Sequence, residues 1–290
     1  MIIVRDVSPP QRIILNQGAT MEINKDTQLC MSLAGRPGNF GTRFHNYLYQ
    51  HMGLNYLYKA FTTQDIAAAV GGVRALGIRG CAVSMPFKES CIPYLDELDP
   101  SAQAIESVNT IVNTNGQLKA YNTDFIAVER LIAQHQVDPR LSFALRGSGG
   151  MAKAVAGALH HAGFRDGVIV ARNERAGRHL AELYGYRWQR DEHGLQAGML
   201  VNVTPLGMAG GADIDTLAFS RTLIAAANVV FDVVAMPAET PLIQAARALQ
   251  KPVITGAEVV AIQALEQFVL YTGVRPDPDL VARAAAHAAG

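Results

Sequence analysis

One short segment constrains this chain more than any other: Gly147-Ser148-Gly149-Gly150-Met151-Ala152. An apolar run from Leu141 to Leu145 precedes it, and a helical pattern from Met151 to His161, closed by Gly163, follows it. A glycine turn between a buried strand and a helix matches the spacing G-x-G-x-x-G/A. Gly147 makes the tight turn, and Gly149 lets the backbone approach a pyrophosphate whose charge the helix N-terminus favours. Ala152 is small enough for the helix and strand to pack closely. The whole stretch Gly147, Ser148, Gly149, Gly150, Met151 and Ala152 is thus expected to hold a dinucleotide, against the plainer alternative of a tight strand-to-helix turn.

The end of the next strand bears on which dinucleotide. An acidic residue there would take a ribose 2′-hydroxyl, whereas arginine accommodates a 2′-phosphate. The chain reads Ala171-Arg172-Asn173-Glu174-Arg175, with no acid at the strand end and two arginines near it. NADP is therefore the expected cofactor, bound through Arg172 and Arg175, unless both are solvated surface residues.

Around this segment strands alternate with helices, which predicts parallel sheets. Strands are read at Leu29–Leu33, Tyr56–Phe61, Ile78–Ser84 and Val108–Val112, and Leu118–Tyr121 returns after an Asn113–Gly116 turn. Helices are read at about Arg43–Met52, from a Thr62/Asp65 capping box along Ile66, Val70, Val73 and Leu76, and at Ala102–Ser107. After a helix over Phe125–Gln134, strands follow at Leu141–Leu145, Val168–Ala171, Met199–Val203, Val229–Val233 and Val253–Thr255. Helices at about Glu258–Tyr271 and Pro278–Ala288 end the chain. The fold class expected is α/β in two domains. An N-terminal α/β substrate domain with a mixed sheet takes residues 1–125 and is completed by helices in 257–290. A Rossmann dinucleotide-binding domain takes 126–256.

With 290 residues there is enough chain for two cores. Lys plus Arg and Asp plus Glu number 25 each, so no basic excess points to nucleic acid. No apolar stretch is long enough for a bilayer; Leu223 to Met236 is broken by Asn228 and Asp232. Cys30, Cys81 and Cys91 are too few and too scattered for a disulfide framework, and read as buried thiols of a cytoplasmic protein. Neither cysteines nor histidines show metal-ligand spacing, so no metal is expected. Met21 offers a second start, which makes Met1–Thr20 a dispensable extension by expectation.

A ketone reduction needs a hydride delivered to carbon and a proton for the developing alkoxide. A lysine positioned by a carboxylate can serve the second need. Lys88, in Met85-Pro86-Phe87-Lys88-Glu89, and Asp124, in Tyr121-Asn122-Thr123-Asp124, fit those roles, although on spacing alone a lysine after a strand is usually just exposed.

The motifs in their order resemble the shikimate dehydrogenase family from about Gln28 to Gly273. Gly80 to Glu89 resembles G-x-N-V-T-x-P-x-K-E, Ser107-Val108-Asn109-Thr110 resembles A-V-N-T, and Tyr121 to Asp124 resembles Y/G-N-T-D. Gly147 to Ala152 is similar to G-A-G-G-A-x, Ala171-Arg172-Asn173 to N-R-T, and Asn202 to Met208 to N-A-T-x-x-G-M. Thr240-Pro241-Leu242 and Gly256 with Gln263 complete the set. The resemblance implies Lys88 and Asp124 as the catalytic pair, with Asn109 and Gln263 as ligands of ring hydroxyls and Asn122 as a weaker neighbour. It adds Asn173, Asn202, Thr204, Gly207 and Met208 to the cofactor contacts. The implied reaction is the reversible NADPH-dependent reduction of a ring ketone, such as 3-dehydroshikimate to shikimate, within aromatic amino-acid biosynthesis. The implied partners are small ring hydroxy acids or polyols, taken by a monomer or homodimer.

Two departures qualify this. The family holds its substrate carboxylate with a Ser-x-Ser-P stretch ahead of His-Asn, whereas this chain has Gly35-Arg36-Pro37-Gly38-Asn39-Phe40-Gly41-Thr42-Arg43-Phe44-His45-Asn46, with no serine. The tyrosine expected a few residues after Asp232 is Ala235. Each lost charge-assisted bond costs about 1.5–3 kcal/mol, or roughly ten- to a hundredfold in affinity. The pattern resembles the divergent dehydrogenase-like branch of the family, which implies poor shikimate activity and a related substrate, with Thr42, Asn39 or Arg43 as replacement anchors. Other classes are a ligand-binding regulator without turnover, which the presence of both Lys88 and Asp124 disfavours, and a methylenetetrahydrofolate or amino-acid dehydrogenase, which Asn122-Thr123-Asp124 disfavours.

Overall fold

A computed structural model describes residues 22–290; the proposed extension Met1–Thr20 lies outside them. In chain order the elements are β1 (Gln28–Leu33), α1 (Phe40–His51), β2 (Tyr56–Phe61), α2 (Ile66–Ala75), β3 (Gly80–Val83), α3 (Phe87–Ser90), β4 (Glu97–Leu98), α4 (Pro100–Gln103), β5 (Thr110–Thr114) and β6 (Gln117–Tyr121). These are followed by α5 (Thr123–Gln134), β7 (Phe143–Arg146), α6 (Gly150–His161), β8 (Gly167–Val170), α7 (Glu174–Tyr184), β9 (Arg187–Gln189), β10 (Met199–Asn202), α8 (Arg221–Ala226), β11 (Val229–Asp232), α9 (Pro241–Ala248), β12 (Val253–Ile254), α10 (Gly256–Thr272) and α11 (Pro278–Ala289). The chain forms two compact units. Among the described residues, one joins residues 22–99 to Val108–Tyr121 and Ala264–Gly290; the other joins Pro100–Ser107 to Asn122–Gln263.

The first unit has a mixed six-stranded sheet in the order β2-β1-β3-β5-β6-β4. β1 runs parallel to β2 and β3, while β5 is antiparallel to both β3 and β6. In β2, Tyr56 and Tyr58 face inward and Lys59 faces out, the alternation of a half-buried strand. The apolar stripe of α1, with Phe44 and Leu48 fully buried, packs on them together with Phe268 and Tyr271 of α10.

The second unit has an all-parallel sheet in the order β12-β11-β10-β7-β8-β9. This is the doubly wound dinucleotide-binding arrangement, and the expected two-part α/β fold class is the one observed. Every residue of β8 and β10 is buried, as expected of parallel strands covered on both faces. One face carries Leu145, Ile169 and Val201 with α5 and α6; the other carries Ala144, Val168 and Leu200 with Ile224 and Leu242.

Several local expectations shift. The helical pattern from Ala102 to Ser107 gives only a single turn, α4, because the chain leaves it through Glu106 at φ 48°. The strand expected from Val108 starts two residues later, at Thr110. The cap of α2 is Asp65, whose carboxylate accepts from Ala68 N at 2.9 Å, while Thr63 rather than Thr62 braces Asp65 N. Leu76 is not part of the inner face: it sits past the last turn of α2 and is 78% exposed.

Burial also sets an expected acid response. His45 is fully buried, stacked on Tyr58 with ring centroids 4.5 Å apart, and among the described residues neither ring nitrogen has a hydrogen-bond partner. Desolvation pushes its pKa down to about 3, weakly opposed by the Gln267 side chain. The folded value lies below the unfolded one, so this contribution to stability is complete above about pH 6.5 and is lost as pH falls below it, at up to about 1.4 kcal/mol per pH unit. Urea midpoints measured between pH 7 and 5 are expected to fall steeply for the native chain and more gently for His45→Phe. Parallel slopes would show that His45 does not titrate on unfolding.

Candidate functional site

In the first unit, the ends of β1 and β3 bring several proposed site segments together. Ser84 N donates to Leu33 O, and Gly35 N donates to Met85 O at 2.9 Å. Met85–Pro86 is a cis peptide, after which α3 carries Lys88 as its second residue. Lys88 O accepts from Val108 N at 2.8 Å, which holds α3 against the segment leading to Asn109. Asn109 is buried; its carbonyl accepts from Val83 N, and its Oδ1 accepts from the Thr110 hydroxyl at 2.8 Å. Thr42 lies in the first turn of α1, its hydroxyl shielded from solvent and without a protein partner among the described residues. Asn46 clamps β2 at two points, donating to Tyr58 O and accepting from Tyr58 N, both at 2.8 Å.

Sequence reasoning missed Gln267. Its amide donates to Thr110 Oγ1 at 3.0 Å and to Asn109 O at 3.2 Å. It fixes the backbone of Asn109 from behind, and a glutamine among apolar helix residues was the only signal of it. Gln263 lies one turn earlier in α10, half-buried, and belongs to the second unit.

In the second unit, Asp124 is buried in the first turn of α5. Asn122 caps that helix. Its Oδ1 accepts from Phe125 N at 3.0 Å, its Nδ2 donates to Ser107 O at 2.9 Å, and its backbone N donates to Ser101 Oγ. With both ends of its amide engaged, Asn122 orients Asp124.

The glycine turn leaves the C-terminal end of β7. Gly147 adopts φ 127°, and a Cβ there would lie 2.8 Å from Val203 Cγ2, so glycine is required on both counts. Among the described residues, a Cβ on Gly149 or Gly150 would meet nothing within 4 Å, and no side chain caps the start of α6. Open space over uncapped first-turn amides fits a pyrophosphate. Ser148 lies within this turn, Met151 is half-buried in the first turn of α6, and Ala152 is fully buried. Arg172 and Arg175 are exposed beyond β8, and Asn173 caps α7 by accepting from Ala176 N at 3.1 Å.

The segment after β10 is built around a buried polar node. Asn202 Nδ2 donates to Asp232 Oδ1 at 3.0 Å, and Asn202 Oδ1 accepts from the Thr204 hydroxyl at 2.6 Å. Thr240 donates to Asp232 Oδ2 at 2.7 Å. Burial pushes the Asp232 carboxyl up, opposed by the bonds from Thr240, Val234 N and Asn202. Asn202 thus shapes the segment from inside, while Gly207, at φ 84°, turns it and Met208 is exposed.

Arg146 was also missed. It ends β7 opposite Val170 and Asn202. Its guanidinium pairs with Glu192 at 2.9 Å, lies 4.8 Å from the Phe219 ring centroid, and lines a cavity of about 370 Å³. A charge at the close of an apolar strand was the available signal.

Among the described residues, no helix is long and apolar enough to cross a membrane, and no three metal-binding side chains cluster. Residues 40–111 match the family described as the shikimate dehydrogenase substrate binding domain. A shikimate dehydrogenase-like protein of Haemophilus influenzae is 60% identical over 266 residues, spanning 92% of this chain and 98% of that protein. A solved shikimate 5-dehydrogenase-like protein superposes with a TM-score of 0.91 at 59% identity, over 93% of this chain and all (100%) of that one. The shikimate 5-dehydrogenase of Thermus thermophilus, solved with NADP(H) and shikimate, gives a TM-score of 0.80 at 28% identity, covering 90% of this chain and 100% of that one. On these grounds the chain belongs to the shikimate dehydrogenase family, in its divergent dehydrogenase-like branch.

Proposed function

We propose that the chain is an NADP-dependent oxidoreductase that interconverts a ring ketone and its alcohol, acting poorly on shikimate and better on a related ring hydroxy acid or polyol. Lys88, Asn109 and Thr42 of the proposed substrate site lie in the first unit, and the proposed NADP contacts lie in the second. The observation that carries this reading is the open glycine cradle at Gly149 and Gly150 before an uncapped helix. NADP, when bound, supplies or accepts the hydride. Gly147 to Ala152 hold the pyrophosphate, and Arg172 and Arg175 the 2′-phosphate. Asn202, Thr204, Gly207 and Met208 form the wall beside them. Lys88 gives the proton to the developing alkoxide, or takes it back in the reverse direction, and Asp124 is the carboxylate of the proposed catalytic pair. Asn109, Gln263 and Thr42 bind polar groups on the ring, with Thr42 in place of the absent serines.

Family membership and the NADP(H) and shikimate bound by the Thermus relative support the reaction class. The serine-free stretch Gly35–Asn46 and Ala235 support the altered substrate. A cytoplasmic monomer or homodimer, acting in or beside aromatic amino-acid biosynthesis, is the setting this implies.

The test is a titration with NADPH and NADH by nicotinamide fluorescence, followed by oxidation assays over cyclic polyols and ring hydroxy acids. NADPH is expected to bind more tightly, and a compound other than shikimate to turn over fastest. Activity confined to shikimate at ordinary family rates removes the altered-substrate reading. NADPH binding with no turnover on any compound would favour a regulator.

A further inference from the structure

Among the described residues, all three thiols and two methionines are buried, Met52 and Met151 are half-buried, and three methionines are exposed. Cys30, Cys81 and Cys91 are each 0% exposed. Burial also pushes all three thiols well above the ordinary range, which suppresses the thiolate that reacts with oxidants. Met31 and Met199 are buried as well, at 6% and 0%. In contrast, Met85, Met236 and Met208 are 77%, 64% and 42% exposed.

Two of these follow neighbouring strands of the second unit, β10 and β11. Met208 stands in the segment that leaves β10, and Met236 in the one that leaves β11. Ala209 N donates to Met236 O at 2.8 Å, so the two segments are tied side by side. Open α/β sheets place ligands outside the carboxyl ends of their strands, where both thioethers lie. Exposed apolar side chains at such a place offer contact area to a ligand, and the same exposure leaves their sulfurs open to oxidants.

We propose that Met208 and Met236 are an oxidation-sensitive pair through which peroxides weaken dinucleotide binding. The sulfur lone pair attacks hydrogen peroxide, and the O–O bond breaks. Oxygen is transferred to sulfur, which is oxidised by two electrons to the sulfoxide, while the peroxide is reduced to water. The product replaces an apolar thioether with a polar, hydrogen-bond-accepting group and is reversed by methionine sulfoxide reductases, not by thiol reductants. The chemical half of this inference stands on exposure alone. The functional half rests on the dinucleotide reading of the second unit.

The experiment treats the full chain with dilute hydrogen peroxide, maps added oxygen by peptide mass spectrometry, and titrates NADPH before and after. Oxygen is expected on Met85, Met208 and Met236 before Met31, Met199 or any cysteine. NADPH affinity is expected to fall by about tenfold, as a polar sulfoxide displaces an apolar contact. Dithiothreitol should not restore it, and the reductases should. Met85 acts as an internal control. In a Met208→Leu/Met236→Leu chain it still oxidises, yet NADPH affinity should keep its own untreated value. First oxidation at a cysteine overturns the proposal. So does full sulfoxidation of the pair with unchanged affinity, or an equal loss in the double variant. An untreated chain that binds no NADPH removes the dinucleotide reading and this inference together.

Discussion

Lys88→Ala is expected to lower turnover of the best ring substrate by about a hundred- to ten-thousandfold, the usual contribution of a positioned proton donor. The substitution should leave the fold in place. Lys88 anchors its surroundings through its backbone, whose carbonyl accepts from Val108 N at 2.8 Å, and alanine preserves that bond. NADPH binding should stay near its native value, because the proposed cofactor residues all lie in the second unit. Lys88→Arg separates two roles. Arginine keeps the positive charge but does not release a proton near neutral pH, so a rate as low as that of the alanine variant identifies proton transfer. Substantial recovery with arginine would instead assign Lys88 to charge stabilisation. Native rates in the alanine variant would take Lys88 out of the mechanism and leave Asp124 to be explained as a helix-start residue.

Much of the second unit was legible because its physics is local. Leu141–Leu145, Val168–Ala171 and Met199–Val203 are predominantly apolar runs, broken only by Ser142 and Asn202, which suits strands buried on both faces, and each gave a strand within two residues of its observed limits. The glycine turn was readable for the same reason: Gly147 must reach φ 127°, and few other residues do. The short elements were harder. α3 is one turn long and β4 only two residues, so neither has room for a period to show.

The site divides along similar lines. Lys88, Asn109 and the glycines stand in motifs, and their types and spacing were visible. What escaped were side chains whose meaning depends on a distant partner. Gln267 matters because it meets Asn109 and Thr110, some 157 positions away in sequence. Arg146 matters because it meets Glu192 and Phe219. Asn122, named near the substrate by resemblance, uses both ends of its amide in capping α5 and in bonding Ser107, neither of which is visible from its neighbours in sequence. A buried polar side chain is explained by its bonding partners, and these are set by packing rather than by neighbours in sequence.

Two glycines of the second unit should respond to alanine in opposite ways. At Gly256, the first residue of α10, a Cβ would lie 2.3 Å from both the carbonyl carbon and oxygen of Val234 and 2.4 Å from Val233 O. These are backbone atoms of the segment leaving β11, so no rotamer change relieves the contact. Either α10 moves or that segment does. Overpacking that side chains can absorb costs about 1–3 kcal/mol, so Gly256→Ala is expected to cost at least about 3 kcal/mol. A loss of that size lowers Tm by roughly 5–10 °C for a chain of this length. At Gly149, φ is −86° and a Cβ meets nothing within 4 Å, so Gly149→Ala should leave Tm within about 1 °C of native. That open volume is where a pyrophosphate would approach, however, and filling it should weaken NADPH binding by about tenfold or more. Differential scanning calorimetry and NADPH titration on the two variants separate the cases. A stable Gly256→Ala would mean that α10 slides without cost. A Gly149→Ala chain with native NADPH affinity would place the dinucleotide somewhere other than this turn, because no close backbone approach could then be taking place there.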